Sequence, residues 1–323
     1  MNAIEQHLAT RRTAGLFDFS FMSLVEIDGP AATALLARLQ TRSLASRAMA
    51  SIAYTLLLNE DASVFIDATL WKHAEDKWWL FTGRRSDVPA FRAHAAGFDV
   101  RMRDRSTEFA VLALQGPASG RMLARLGGES LVRDLRYFQF GEARLGGIRG
   151  IVGRLGYSGE LGYEIVVPKA DATAMHSSLL AAGAAACQFD AANSLRIECG
   201  YVLFDREITG RENPLQLRLE RLVDVNEPHF RGRSAFIASR RSPCAEVLVG
   251  LEISDRTASP LLPAARATSE CDSPIFRRRI GLGFAPPDQT AGSLVRLADG
   301  RLARTARLPF YDPPRRLPRG TPL

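Results

Sequence analysis

Lysine is nearly missing from this chain. Of 42 basic residues only Lys72, Lys77 and Lys169 are lysines, so arginine carries the formal net charge of +7. Such a skew commonly reflects genome composition, although excess positive charge also draws in anionic ligands. No basic stretch is interleaved with aromatics as in a nucleic-acid module, and no nucleic-acid partner is expected. Cysteine is scarce as well. Cys187, Cys199, Cys244 and Cys271 show no paired metal spacing, and a disulfide framework is not expected in a chain of this size. Cys199 is expected to pack as a small hydrophobe. Five scattered histidines offer no zinc ligand set, so no metal is expected. No apolar run approaches about eighteen residues, and the N-terminus lacks the charged-then-apolar layout of a secretory signal, which makes the cytoplasm the default location. No serine or cysteine is visibly coupled to a histidine as an activated nucleophile.

What is present is ordinary in bulk. The 323 residues are 46% hydrophobic and 24% charged, a soluble globular composition too long for a single core. Apolar periodicity predicts helices over 4–14, 30–39, 87–96, 117–127, 171–183 and 190–200. Alternation predicts strands at 24–27, 52–58, 64–71, 77–81, 98–103, 108–114, 136–142, 147–153 and 163–168. The fold class is therefore α+β, with helices over antiparallel sheets. Beyond Arg240-Arg241-Ser242-Pro243, short strands broken by proline and glycine point to a small barrel or sandwich. The proline- and arginine-rich tail from Pro313 is expected to fray.

The most specific string is Arg154-Leu-Gly-Tyr157-Ser-Gly-Glu160-Leu-Gly-Tyr163-Glu164, which runs into Ile165-Val-Val-Pro168. Its three glycines permit tight or positive-φ turns and close backbone approach to a flat ligand. Along the strand Tyr163, Ile165 and Val167 share one face, and Glu164 points to the other with Val166. A second acid stands out in Val64-Phe-Ile-Asp67-Ala-Thr-Leu-Trp71, where Phe65, Asp67, Thr69 and Trp71 share a face. A carboxylate in an aromatic-lined strand is costly unless it is paired or used. Taken alone, Asp67 is as well read as an acid bonded to a neighbouring amide or arginine.

The signature string resembles that of the folate-binding aminomethyltransferase family, the T-protein of glycine cleavage and its relatives. The likeness continues through Ala14-Gly-Leu-Phe-Asp18, Ala53-Tyr54 to Asp61, Leu112-Ala-Leu-Gln115-Gly116-Pro117, Ser194-Leu-Arg196-Ile-Glu198-Cys-Gly200, Phe230-Arg-Gly232-Arg233 and Leu308-Pro-Phe310-Tyr311. The resemblance implies two interleaved α+β modules over residues 1–240, a C-terminal β-barrel over 245–315 and a tail at 316–323. It implies a tetrahydrofolate-dependent one-carbon transferase, with tetrahydrofolate or a one-carbon derivative as cofactor and a small-molecule substrate that can be carrier-bound. Asp67 falls where the family keeps the acid facing the reacting carbon, where a fixed charge steadies developing positive charge or steers a proton. Glu164 would accept the 2-amino and N3–H donor pair of a pterin. Arg196, on the helix 190–200, would meet the glutamyl carboxylate at the pocket mouth, with a distant acid as its alternative partner. Tyr54, Tyr137, Tyr157 and Met22 would line the slot around the rings, unless they are plain core. Glu160 reads as a surface or turn-ordering residue.

The chain also departs from the family. It has Ile66-Asp67 where two acids are usual, Ser20-Phe21-Met22 in place of Ser-His-Met, and Phe204-Asp205-Arg206-Glu207 where a tyrosine–glycine pair is usual. It begins past the segment with which typical members open. The departures cluster at the donor end, which implies a kept cofactor slot and an altered substrate site. Three functions follow from the resemblance: an aminomethyl-type transferase specialised away from glycine cleavage; a tetrahydrofolate-dependent demethylase of an N-, S- or O-methylated small molecule; and a non-enzymatic folate-binding iron–sulfur accessory protein. The last carries a Lys-Gly-Cys-Tyr-x-Gly-Gln-Glu motif, and here Phe230-Arg-Gly232-Arg233-Ser-Ala235 has no cysteine.

Overall fold

The computed structural model describes residues 1–321 and 323. After α1 (Ala3–Arg12) the chain runs β1 (Gly15–Asp18), β2 (Ser23–Asp28), α2 (Ala32–Leu39), β3 (Ile52–Leu58), β4 (Val64–Ala74), β5 (Lys77–Thr82) and α3 (Val88–Ala93). It continues with β6 (Arg101–Asp104), β7 (Phe109–Gln115), α4 (Ser119–Leu123), α5 (Glu129–Asp134), β8 (Phe140–Leu145), β9 (Ile148–Gly153), β10 (Gly162–Pro168), α6 (Ala172–Ala181), β11 (Ala185–Cys187), α7 (Phe189–Glu198) and α8 (Arg233–Ser239). Five strands close the chain: β12 (Val247–Thr257), β13 (Ala264–Ser273), β14 (Arg278–Ala285), β15 (Leu294–Leu297) and β16 (Arg301–Ala306). No described helix is long and apolar enough to cross a membrane.

Two sheets form the body. One has the order β11-β1-β7-β10-β9-β8, antiparallel apart from the β1–β11 pair, and the other β3-β4-β5-β2-β6. Their interleaving is visible at once, since β1 joins the first sheet and β2 the second. The period-2 pattern then decides which face each side chain meets. On β10, Tyr163, Ile165 and Val167 pack under the helices of the first sheet with Leu123, Met175 and Leu179. On β4, Ile66, Ala68 and Leu70 pack beneath α2 and α3 with Leu35, Leu36 and Phe91. The opposite faces meet each other through a shared aromatic layer containing Phe17, Trp71, Trp79, Phe81, Ala113 and Val166. Both alternations make Asp67 and Glu164 point toward this shared layer, from different sheets.

The last five strands form a closed barrel in the order β12-β14-β13-β15-β16. It packs on the body through a cluster that joins Leu56 and Leu58 of β3, Leu217 and Leu222 of the 200–230 connection, and Ile280, Leu282 and Phe284 of β14. The fold is thus α+β, two interleaved sheets with an appended barrel.

Three local expectations are corrected. The strand foreseen at 136–142 begins only at Phe140, because Phe138 takes a positive φ of 63° and makes 136–139 a turn. A short helix at Arg233–Ser239 and the edge strand Ala185–Cys187 were not foreseen. The tail does not fray: Arg154 donates to the Pro318 carbonyl at 3.5 Å and the Gly320 carbonyl at 2.5 Å, and the Leu317 amide donates to Asp312 Oδ2 at 2.9 Å.

Candidate active site

A cavity of about 820 Å³ opens where the aromatic layer between the sheets ends, walled by the 200–222 connection and the segment from Leu308 to Arg319. That volume lies within the usual range for small-molecule sites, roughly 300–1,000 Å³. Asp67, Glu164, Tyr54, Tyr137, Tyr157 and Met22 all line it. Arg196 does not.

Asp67 sits mid-strand on β4, opposite Leu56 of β3. Its Oδ2 accepts the Tyr54 hydroxyl at 2.9 Å. Burial raises its pKa above the usual carboxylate value, and the Tyr54 hydrogen bond opposes that shift only in part. Burial, and then the Asp67 charge, push the Tyr54 phenol well upward, so the tyrosine stays a donor. Of the alternative reading of Asp67, an acid bonded to a neighbouring amide or arginine, a backbone amide does bond the carboxylate, while the arginine half does not hold. Arg84 pairs with Asp87 at 3.1 Å and Asp205 at 2.8 Å instead.

Glu164 is the more unusual acid. It is 7% exposed, and burial alone raises its pKa to about 7. No hydrogen bond or charge partner among the described residues offsets that burial. A buried carboxylate without donors costs several kcal/mol in order of magnitude, so its natural complement is a ligand with donors of its own.

The aromatic walls come from separate elements. Tyr157 donates its hydroxyl to the Val202 carbonyl at 2.5 Å and lies stacked on Tyr201 with ring centroids 5.8 Å apart. Tyr201 is a lining residue that the sequence reading missed. It follows Gly200 directly, and only that helix-ending glycine could have flagged the turn. Phe21, where the family has histidine, instead stacks edge-on against Phe19 and Phe189 at 5.7 and 5.9 Å.

Arg196 requires a correction. It is fully buried, pairs with Glu207 at 2.7 Å and donates to Asn193 Oδ1 at 2.9 Å, Ser269 Oγ at 2.6 Å and the Tyr201 carbonyl at 3.1 Å. Glu207 in turn accepts the Leu203 amide at 3.0 Å. The pair therefore pins the 201–203 stretch of cavity wall from behind, and the fully buried Arg196 does not reach the mouth. A distant acid was the alternative partner, and Glu207 is that acid.

The signature glycines also act differently from expectation. A Cβ on Gly156 or Gly162 would fall 1.8 or 2.4 Å from the Gln115 side chain, and one on Gly159 would fall 2.2 Å from Cys199 Sγ. The close approach they permit is to protein groups, and Gly156 alone of the three lines the cavity. Glu160 is buried rather than surface-lying, paired with Arg11 at 2.9 Å. Arg11 also binds Glu198 at 2.7 Å and so ties α1, the signature turn and α7 together.

A two-sheet body and an appended barrel surround a cavity that offers charge and hydrogen bonds. Comparison with known proteins identifies the family. Residues 1–227 match the GCVT N-terminal domain family. The chain is 34% identical over 327 residues to an aminomethyltransferase of Rubrobacter xylanophilus, covering 98% of this chain and 88% of that one. It is 31% identical to an aminomethyltransferase of Symbiobacterium thermophilum, covering 98% and 91%. The crystal structure of the glycine cleavage system aminomethyltransferase T of Bartonella henselae superimposes with a TM-score of 0.85 at 27% identity, covering 96% and 90%. This chain belongs to the folate-binding aminomethyltransferase family.

Proposed function

We propose that the protein moves a one-carbon unit between a small amine-type substrate and tetrahydrofolate, as a specialised relative of the glycine-cleavage enzyme. The observation that carries this reading is the pair of acids facing one cavity from two sheets, one partly buried and the other buried without a protein partner. The fit to a reduced folate rests on that orphan. A pterin edge presents two parallel donors, and Glu164 is a two-oxygen acceptor with nothing else to accept. The volume and the tyrosine walls suit a flat bicyclic ring with an aromatic extension.

Tetrahydrofolate, when bound, supplies a nucleophilic nitrogen that accepts or releases the carbon. The chain supplies orientation and charge. Glu164 holds the amino edge; Tyr157, fixed through Val202 and stacked on Tyr201, limits the ring's tilt. Asp67, held by Tyr54, places a carboxylate beside the reacting centre, where it stabilises developing positive charge or takes a proton. The aromatic layer behind them excludes water, which strengthens both effects.

Calorimetric titration with tetrahydrofolate tests binding. Asp67→Asn should then abolish turnover with the folate dissociation constant changed by less than about threefold, because amide and acid are isosteric and the pterin contact lies at Glu164. Loss of folate binding in Asp67→Asn, or turnover without folate, would overturn the reading. Product analysis separates the two oxidation states: 5,10-methylene-tetrahydrofolate for aminomethyl transfer, 5-methyl-tetrahydrofolate for demethylation.

A further inference from the structure

The row of residues that carries Asp67 across its sheet has a gap, and an aromatic ring from outside the sheet fills it. Thr82 of β5 pairs with Ala68 of β4 on one side and with Ser23 of β2 on the other. One step further along these antiparallel ladders, Asp67, Gly83 and Met22 fall in a single row. All three line the cavity. Gly83 brings no side chain, and the space above it belongs to Phe204: a Cβ built on Gly83 would meet two carbons of that ring at 2.2 and 2.4 Å. Phe204 lines the cavity too. Its ring therefore rests on bare backbone between Asp67 and Met22, and strand register alone puts it at the reacting end.

The ring is also held from its loop. Arg84, the neighbour of Gly83, pairs with Asp205 at 2.8 Å and places its guanidinium 5.7 Å from the Phe204 ring centroid. Asp205 takes a positive φ of 60°, the conformation that favours the glycine usual at this point in the family. The Asp205 amide donates to the Ile208 carbonyl at 2.8 Å, and the Leu203 amide to Glu207 at 3.0 Å, so the turn is bonded on both sides of the ring. Phe204 is a seated wall. Within its row it and Met22 present hydrocarbon and thioether, and Asp67, bonded to the Tyr54 hydroxyl, is the polar member.

We propose that Phe204 is a specificity-determining residue of the one-carbon exchange. Its ring is the stop beside Asp67 that admits an amine with only methyl-sized apolar substituents on the reacting nitrogen and rejects branched or aromatic ones. The inference rests on the one-carbon reading above and narrows its substrate to a compact amine. A ring seated on glycine backbone cannot retreat into the sheet, so an oversized substituent meets a fixed obstacle. A misfit of a methyl group or two against such a wall changes affinity by about tenfold or more. The tyrosine usual at this point in the family would carry a hydroxyl, and phenylalanine leaves shape as the selector.

The test is calorimetry on the whole protein loaded with tetrahydrofolate, titrated in turn with dimethylamine, N-methylisopropylamine and N-methylbenzylamine. Wild type should bind dimethylamine about tenfold or more tightly than either larger amine. Phe204→Ala should reverse that order. Phe204→Leu, which keeps hydrocarbon packed on Gly83 and protects folding, should fall between the two. Asp205→Gly, which releases Arg84 and suits the positive φ, should relax the limit in part. Equal shifts for all three amines in both Phe204 variants would overturn the proposal, and so would wild-type affinities that ignore size or are absent across the series. A variant that weakens tetrahydrofolate and leaves the order of the amines alone would overturn it as well, by assigning the ring to the cofactor slot. Failure of the wild-type protein to bind tetrahydrofolate is a separate result, and it would overturn the underlying reading instead.

Discussion

Replacing Glu164 with glutamine should make the empty protein more stable and its folate complex far weaker. With a folded-state pKa of about 7 against an ordinary glutamate value of 4.5, Glu164 keeps its proton in the folded state over a range where the unfolded chain has lost it. Between these values the folded state binds more protons, so stability falls as pH rises, by about 1.4 kcal/mol per unit. Over the whole interval that amounts to about 3 kcal/mol, fully expressed above pH 7 and absent below pH 4.5. Glu164→Gln carries no charge to desolvate and escapes this cost. Thermal denaturation of both proteins across pH 4 to 8.5 should therefore show curves that nearly coincide at the acid end and separate progressively to a plateau above neutrality, with the variant higher. The folate side has the opposite sign. The ionised carboxylate accepts the pterin donors, so affinity should weaken about elevenfold from the alkaline plateau to pH 6, following the ionised fraction. The amide variant should lose that pH dependence together with about 1.5–3 kcal/mol of binding, the usual worth of a hydrogen bond to a charged group. A variant less stable than wild type at pH 8, or folate affinity that is flat across neutrality in the wild type, would refute the argument.

Three other outcomes follow from contacts in the structure. Arg196→Ala leaves Glu207 buried without its partner and should cost about 3–5 kcal/mol, read as a lowered denaturation midpoint, with Arg196→Ala/Glu207→Ala recovering part of the loss. Gly159→Ala sets a Cβ against Cys199 at a φ of +77° and should destabilise by about 1–3 kcal/mol, with a denaturant midpoint as the check. Arg154→Ala removes the donor that holds the Pro318 and Gly320 carbonyls, so limited proteolysis should cut the segment after Asp312 faster, and addition of folate should slow the cutting.

The sheets and both acids were legible because strand alternation is a local property. Ile66, Ala68 and Leu70 on one side of β4 and Asp67 on the other can be read without knowing what packs there. The role of Arg196 was not legible. Its partner Glu207 lies eleven positions further on in a loop, and helix periodicity says nothing about what a loop folds back against. Tyr137 was expected on a strand and lies on a turn, because nothing in Arg136-Tyr-Phe-Gln139 announces the positive φ at Phe138. The segment after Pro313 has the composition of a solvated tail, yet the interior Arg154 and the Asp312 carboxylate hold it as a wall.

Since Asp67 and Glu164 hang from different sheets, no single strand sets their separation. It is the thickness of the filling between the sheets that does so, and Trp71 is one of the two tryptophan shims there, seated so closely on Gly153 that a Cβ would meet its ring at 2.3 Å. Trimming or enlarging that shim would retune the gap between the two acids without altering either one, which makes the buried tryptophan layer a caliper for the size of molecule the enzyme can work on.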